Sequence, residues 1–179
     1  MRNSEFPYKG DYAQACISKL EFTPKMSEII CNWVKNPKDM MLLLGVPGTG
    51  KTYFCAALYH YFVSQKKHVQ ILNEMDFLNN LKENISRGWS EYYEISKLAD
   101  QQILIFDDMG SGKLNEWHLD VLFQLVDKRS EGRLPTVITS NIFTSKFNSV
   151  FPERLTSRLT AVRNVILELT VEDLRKFYT

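Results

Sequence analysis

Cysteine is scarce in this chain: Cys16, Cys31 and Cys55 are the three residues, far apart, odd in number and without a C-x-x-C pair. That pattern argues against a disulfide framework and a zinc site, and suits reduced, mostly buried thiols in a cytoplasmic protein. An excess of charge is missing too. The formal net charge is +1, so no global field attracts nucleic acid or a membrane, and any anion must be held by a local patch. No apolar run approaches the length of a membrane span, and the opening MRNSEFPYKGDY lacks the apolar core of a signal peptide. No internal repeat and no linker rich in proline, glycine or serine interrupts the 179 residues. What remains is an ordinary globular composition, 44% apolar and 24% charged, enough for one domain with a proper core.

The apolar pattern then alternates between two periods. Residues 1–23 read as an arm with a short helix, and 24–179 as the main domain. TPKMSEIICNWVKNP predicts a helix from near Thr23, with Pro24 at its first position and an end before Pro37. MMLLLG, HVQILN, QILIFDDMG, PTVITSN and NVILEL predict five short buried strands. Between them lie helical segments. KTYFCAALYHYFVSQ places Cys55, Leu58 and Phe62 on one face. EMDFLNNLKENISRG and SEYYEISKLAD read as two pieces broken near Gly88, NEWHLDVLFQLVDKRSEG as a helix stopped at Gly132, and FPERLTSRL as a short helix. TVEDLRKFY reads as a closing helix capped by Thr170. Strands alternating with helices predict an α/β fold around a mostly parallel sheet.

Chemistry enters at Gly45-Val46-Pro47-Gly48-Thr49-Gly50-Lys51-Thr52, a complete G-x-x-x-x-G-K-[ST] between a strand and a helix. Its glycines let backbone amides curl around phosphate oxygens, and the following helix aims its positive end at the same anion. Val46 to Tyr53 are therefore candidate nucleotide-binding residues. Lys51 adds a charge for the β- and γ-phosphates, and the Thr52 hydroxyl is a candidate Mg²⁺ ligand. The strand Ile103-Leu104-Ile105-Phe106 delivers two carboxylates at its end. Asp107 is the candidate to hold Mg²⁺, and Asp108 to polarise the attacking water, though aspartate is shorter than the glutamate more usual there. Asn141, at the end of another strand, can orient the water or touch the γ-phosphate, and equally suits a turn. Arg154 and Arg158 share a helical face. Their guanidinium groups suit a γ-phosphate with developing charge, and a solvated, ion-paired face is an equal reading.

Together GVPGTGKT, ILIFDDMG, VDKRSEGRLPTVITSN and ERLTSRL resemble the DnaC/DnaI/IstB branch of AAA+ ATPases, bacterial and phage helicase loaders with transposition helper ATPases as relatives. The resemblance covers about residues 24–177. It implies a P-loop AAA+ core, a five-stranded mostly parallel sheet between helices, and a helical lid that is reduced or absent. It implies an ATPase using ATP and Mg²⁺, with Gly48, Gly50, Lys51 and Thr52 as Walker A and Asp107 and Asp108 as Walker B. Asn141 looks like sensor 1, and Arg158, or Arg154 in its stead, like the arginine finger. Arg129 falls where the family carries an arginine suited to a subunit interface, and Arg175 is a weak match to a sensor 2 arginine. The implied partners are a replicative DNA helicase or a transposase, single-stranded DNA and further copies of the chain in a nucleotide-dependent homo-oligomer, without a membrane. Family loaders carry an N-terminal helicase-binding domain, whereas only about forty residues precede Gly45 here.

Two other readings stay open. One is an adaptor, for a helicase or a transposase, that binds nucleotide with little hydrolysis. The other is a small-molecule kinase on the same phosphate loop, for which no acceptor or lid motif is present. For nucleic acid, Lys82, Arg87, Trp89, Tyr92, Tyr93 and Lys97 could track a strand and stack its bases. Asp76, Glu83, Glu91, Glu94 and Asp100 cancel that charge, and an amphipathic helix packed on its own sheet reads equally well.

Overall fold

A computed structural model gives the fold and describes residues 6–17 and 22–169. Helix α1, Pro24–Lys35, starts as the sequence dictates: the Thr23 hydroxyl accepts the Met26 amide, and proline fills the first position. The order then runs β1 (Met40–Gly45), α2 (Lys51–Ser64), β2 (Val69–Asn73), α3 (Glu74–Ser86), α4 (Glu91–Ala99), β3 (Ile103–Met109), α5 (Glu116–Glu131), β4 (Thr136–Ser140), α6 (Phe147–Val150), α7 (Glu153–Leu159) and β5 (Val165–Leu169). The strands form one five-stranded sheet in the order β2-β3-β4-β1-β5, and every neighbouring pair is parallel.

Alternation along the strands builds two cores. Met40, Leu42, Leu44, Leu104, Phe106 and Ile138 pack with α3, α4, α5 and α7. Met41, Leu43, Ile103, Ile105, Val137 and Leu167 pack with α1 and α2, including Cys55, Leu58 and Phe62. Both faces of the sheet are thus covered, which is why β1 reads as a continuous apolar run.

Two expectations change, and a third is met with an unexpected geometry. Cys55 is buried, but Cys16 and Cys31 are exposed, Cys31 because α1 buries a face that runs through Ile30, Trp33 and Val34 instead. Gly132 does follow α5, yet its φ of −73° is right-handed. The left-handed residue is Arg133, φ 52°, whose guanidinium bonds both Asp39 carboxylate oxygens at 2.9 and 2.7 Å. Arg129 is not an interface residue: it is fully buried within the chain and donates to Thr136 Oγ1 and to the carbonyls of Ala99, Gln101 and Pro135. Thr170, the closing helix and Arg175 lie outside the described residues.

Candidate nucleotide site

The phosphate loop joins the end of β1 to the start of α2. Gly48 and Gly50 sit at φ 84° and 76°, a region that excludes most side chains, and Gly50 begins α2 without a side-chain cap. The first amides of α2 therefore face the loop unclaimed by any capping side chain. Gly45 is needed for a different reason: a Cβ there would lie 3.0 Å from Leu169 Cβ. Lys51 is buried in the concavity. Its amine donates to the Gly45 and Val46 carbonyls at 2.7 and 2.9 Å, and burial lowers its pKa against the opposing pull of Asp108 and Asp107. Pro47 and Gly48 are exposed and Thr49 is buried, its hydroxyl bonded to the Val46 carbonyl at 2.9 Å. Tyr53, placed among the nucleotide-binding residues by sequence, is turned instead to the N-terminal arm, where its hydroxyl accepts the Cys16 amide at 3.4 Å.

The acidic end of β3 is irregular. Phe106 pairs with Ile138 and Met109 with Ser140, so Asp107 and Asp108 together oppose Thr139 alone. This is a β-bulge, the local device by which a strand re-aims its side chains. Asp108 takes φ 62° within it. The Thr139 hydroxyl serves both acids: it donates to Asp107 Oδ1 at 2.5 Å and accepts the Asp108 amide at 2.9 Å. Asn141 Nδ2 donates to Asp108 Oδ1 at 2.8 Å, so the two residues named separately from sequence are in contact. The Cys55 thiol lies 3.6 Å from Asp107 Oδ1. Thr52 is one turn before Cys55 on α2, on the same side of that helix.

Sequence reasoning missed three participants. Thr139 stood in a strand noted only for Asn141 at its end. Tyr8, in the arm, donates its hydroxyl to Asp107 Oδ2 at 2.7 Å, and burial, then the Asp107 charge, pushes its pKa far up. Glu74 opens α3, is wholly buried and accepts the Gly110 amide. The arm is seated on α2 by rings, with Tyr12 and Tyr53 centroids 6.4 Å apart and Phe6 5.0 Å from Tyr59.

The arginines lie elsewhere. Arg154 pairs with Asp120 and Arg158 Nε with Asp127 at 2.5 Å, both on α5 and neither on the phosphate loop of the same chain. In the α3–α4 segment Trp89, Tyr92 and Tyr93 are exposed, while Leu78, Leu81, Ile95, Leu98 and Ala99 supply the packed face. Lys82 is engaged with His118 and Arg87 with Glu83.

A parallel sheet of this order, a phosphate loop after β1 and an acidic pair at the end of β3 define a P-loop protein of the AAA+ class. More narrowly, a family profile described as IstB-like ATP binding protein matches residues 9–166, and the chain belongs to that family. Replicative helicase loader DnaC of Escherichia coli (strain K12) is 27% identical over 116 residues, 64% of this chain and 47% of that protein. Replicative helicase loader DnaC of Buchnera aphidicola subsp. Baizongia pistaciae (strain Bp) is 25% identical over 147 residues, 81% of this chain and 59% of the other. The chain thus spans about half the length of the curated relatives it matches. A crystal structure of the DnaC helicase loader superposes with a TM-score of 0.78 at 18% identity, covering 90% of this chain and all of that one (100%). Replication initiator DnaA bound to AMPPCP and single-stranded DNA gives 0.76 at 18% identity, over 92% of this chain and 52% of that one. At these identities the solved structures speak for the fold. Among the described residues no helix is long and apolar enough to cross a membrane.

Proposed function

We propose that the chain hydrolyses ATP and uses nucleotide state to govern assembly with a replicative helicase and single-stranded DNA, in the manner of a helicase loader. The observation that carries hydrolysis is the bulge at Asp107–Asp108, where one hydroxyl orders both acids and Asn141 orients the second. Lys51 exchanges the Gly45 and Val46 carbonyls for phosphate oxygens. Asp108, steadied by Asn141, draws a proton from the attacking water. The oxygen donors Thr52 and Asp107 fit Mg²⁺, which takes few protein ligands and completes its shell on phosphate. Among the described residues no group of three or more His, Cys, Asp or Glu forms a dedicated metal cage, in keeping with that mode. Held there, Mg²⁺ would neutralise charge on the phosphates. The comparisons support the loader reading because DnaC relatives carry that name.

Steady-state ATPase with Lys51→Ala tests the first half: turnover should fall by about 100-fold or more, since the charge meets the transferring group. Undiminished turnover removes the site assignment. Sizing the protein with a replicative helicase in ATP and in ADP tests the second half. Identical complexes in both nucleotides argue against a switch. A second reading, an adaptor with little hydrolysis serving a helicase or a transposase, draws on Tyr8 occupying Asp107 Oδ2.

A further inference from the structure

Glu74 is an expensive residue where it stands. It follows β2 directly, its side chain is 0% exposed, and Oε1 is buried with no hydrogen-bond partner. Oε2 accepts the Gly110 amide. A buried carboxyl with one oxygen unmet destabilises a fold, and burial together with the Asp108 charge, against the Gly110 amide, raises its pKa to about 7. Its location gives the cost a purpose. Gly110 is the second residue after Asp108, at φ 78°, and a Cβ there would collide with Ile142 and Phe151 at 2.6 and 2.9 Å. The turn after the bulge is therefore pressed from one side by packing and gripped from the other by Glu74. Asn141, which orients Asp108, also keeps a buried oxygen, Oδ1, without a partner. Asp108 is the shorter acid at a position where glutamate is more usual, so its placement depends more on the backbone that carries it.

We propose that Glu74 is a positioning residue for the hydrolytic step: by holding the Gly110 amide it locks the turn behind the bulge and keeps Asp108 presented. The proposal rests on the hydrolysis reading above. Three variants decide it, Glu74→Leu, Glu74→Asp and Glu74→Gln, each checked for folding by thermal melting. The measurements are ATPase kcat and KM, with affinity for a fluorescent ATP analogue by anisotropy. Leucine cannot accept the amide and aspartate is too short to reach it. Both should lower kcat by about 10–100-fold with KM and affinity within about twofold, the pattern of a misplaced group in an intact binding site. Glutamine still offers an oxygen to Gly110 and should hold kcat within about threefold of the parent. Wild-type kcat in the leucine variant overturns the proposal, as does a glutamine variant as slow as aspartate, or kcat and affinity falling together. If the leucine variant does not fold, the aspartate–glutamine comparison decides alone. Absent wild-type turnover, or turnover that survives Lys51→Ala, removes the hydrolysis reading and this role with it. Lys51-dependent turnover indifferent to Glu74 removes only this role.

Discussion

At the scale of single residues, the site is defined by side chains that serve two neighbours at once. Tyr8 donates to the same carboxyl that is the candidate Mg²⁺ ligand, so arm docking and metal binding would compete for Asp107 Oδ2. Tyr8→Phe keeps the ring contacts and deletes that hydrogen bond, worth about 1 kcal/mol. Nucleotide affinity in Mg²⁺ should therefore rise about fivefold, with no change in EDTA; equal gains in both buffers would dissociate the hydroxyl from the metal. Glu74 supplies a pH test. Its carboxyl is raised from 4.5 to about 7 in the folded chain, so the native state holds the proton more tightly than the unfolded one. That contribution is fully present below about pH 4.5 and is lost as the pH rises through about 7, a change of roughly 3 kcal/mol. In urea titrations, Glu74→Gln should gain on the parent progressively between pH 5 and pH 8; a gap independent of pH would contradict the assignment. None of this was legible in sequence. An acid at a helix start reads as a favourable N-terminal charge, and a tyrosine in an arm carries no address.

At the scale of elements, legibility follows the range of the forces involved. Helix α1 is announced by Thr23 and Pro24 and forms on them, because capping is settled within one turn. The continuous apolar run of β1 marks its strand because both of its faces are buried. The bulge in β3 is not written in ILIFDDMG, since it requires the Thr139 hydroxyl from a neighbouring strand. Likewise the stop of α5 looks like the work of Gly132, but the turn is made by Arg133 bonded to Asp39, a partner 94 residues away in sequence. Asp39 is buried and itself left-handed at φ 58°, and its hydrogen bond with Arg133 holds its carboxyl below the usual range. This clasp ties the entry to β1 to the entry to β4. Asp39→Ala should destabilise the fold by about 1–3 kcal/mol in chemical denaturation, with the loss growing smaller as acid protonates the parent's carboxyl. An unchanged midpoint at neutral pH would mean the clasp is idle.

On the scale of the whole molecule, the parallel sheet gathers the chemistry on one rim. Gly45, Glu74, the acidic pair and Asn141 all stand at the carboxyl ends of strands, or directly beyond them. That arrangement was readable from strand–helix alternation. The ion pairs of Arg154 and Arg158 were one of two readings the sequence left open, and it named neither partner, Asp120 or Asp127 on α5. If Arg158 works on a neighbouring subunit, it must exchange Asp127 for phosphate, and mixing Arg158→Ala with Lys51→Ala protein should restore part of the ATPase rate. No recovery at any mixing ratio would confine Arg158 to its intramolecular pair. The left-handed backbone at Asp108 has a separate consequence, for protein engineering. A side chain at that φ costs about 1 kcal/mol that glycine would not. A library screened for heat resistance alone would therefore drift toward glycine at position 108, enriching sturdier proteins that have discarded the acid.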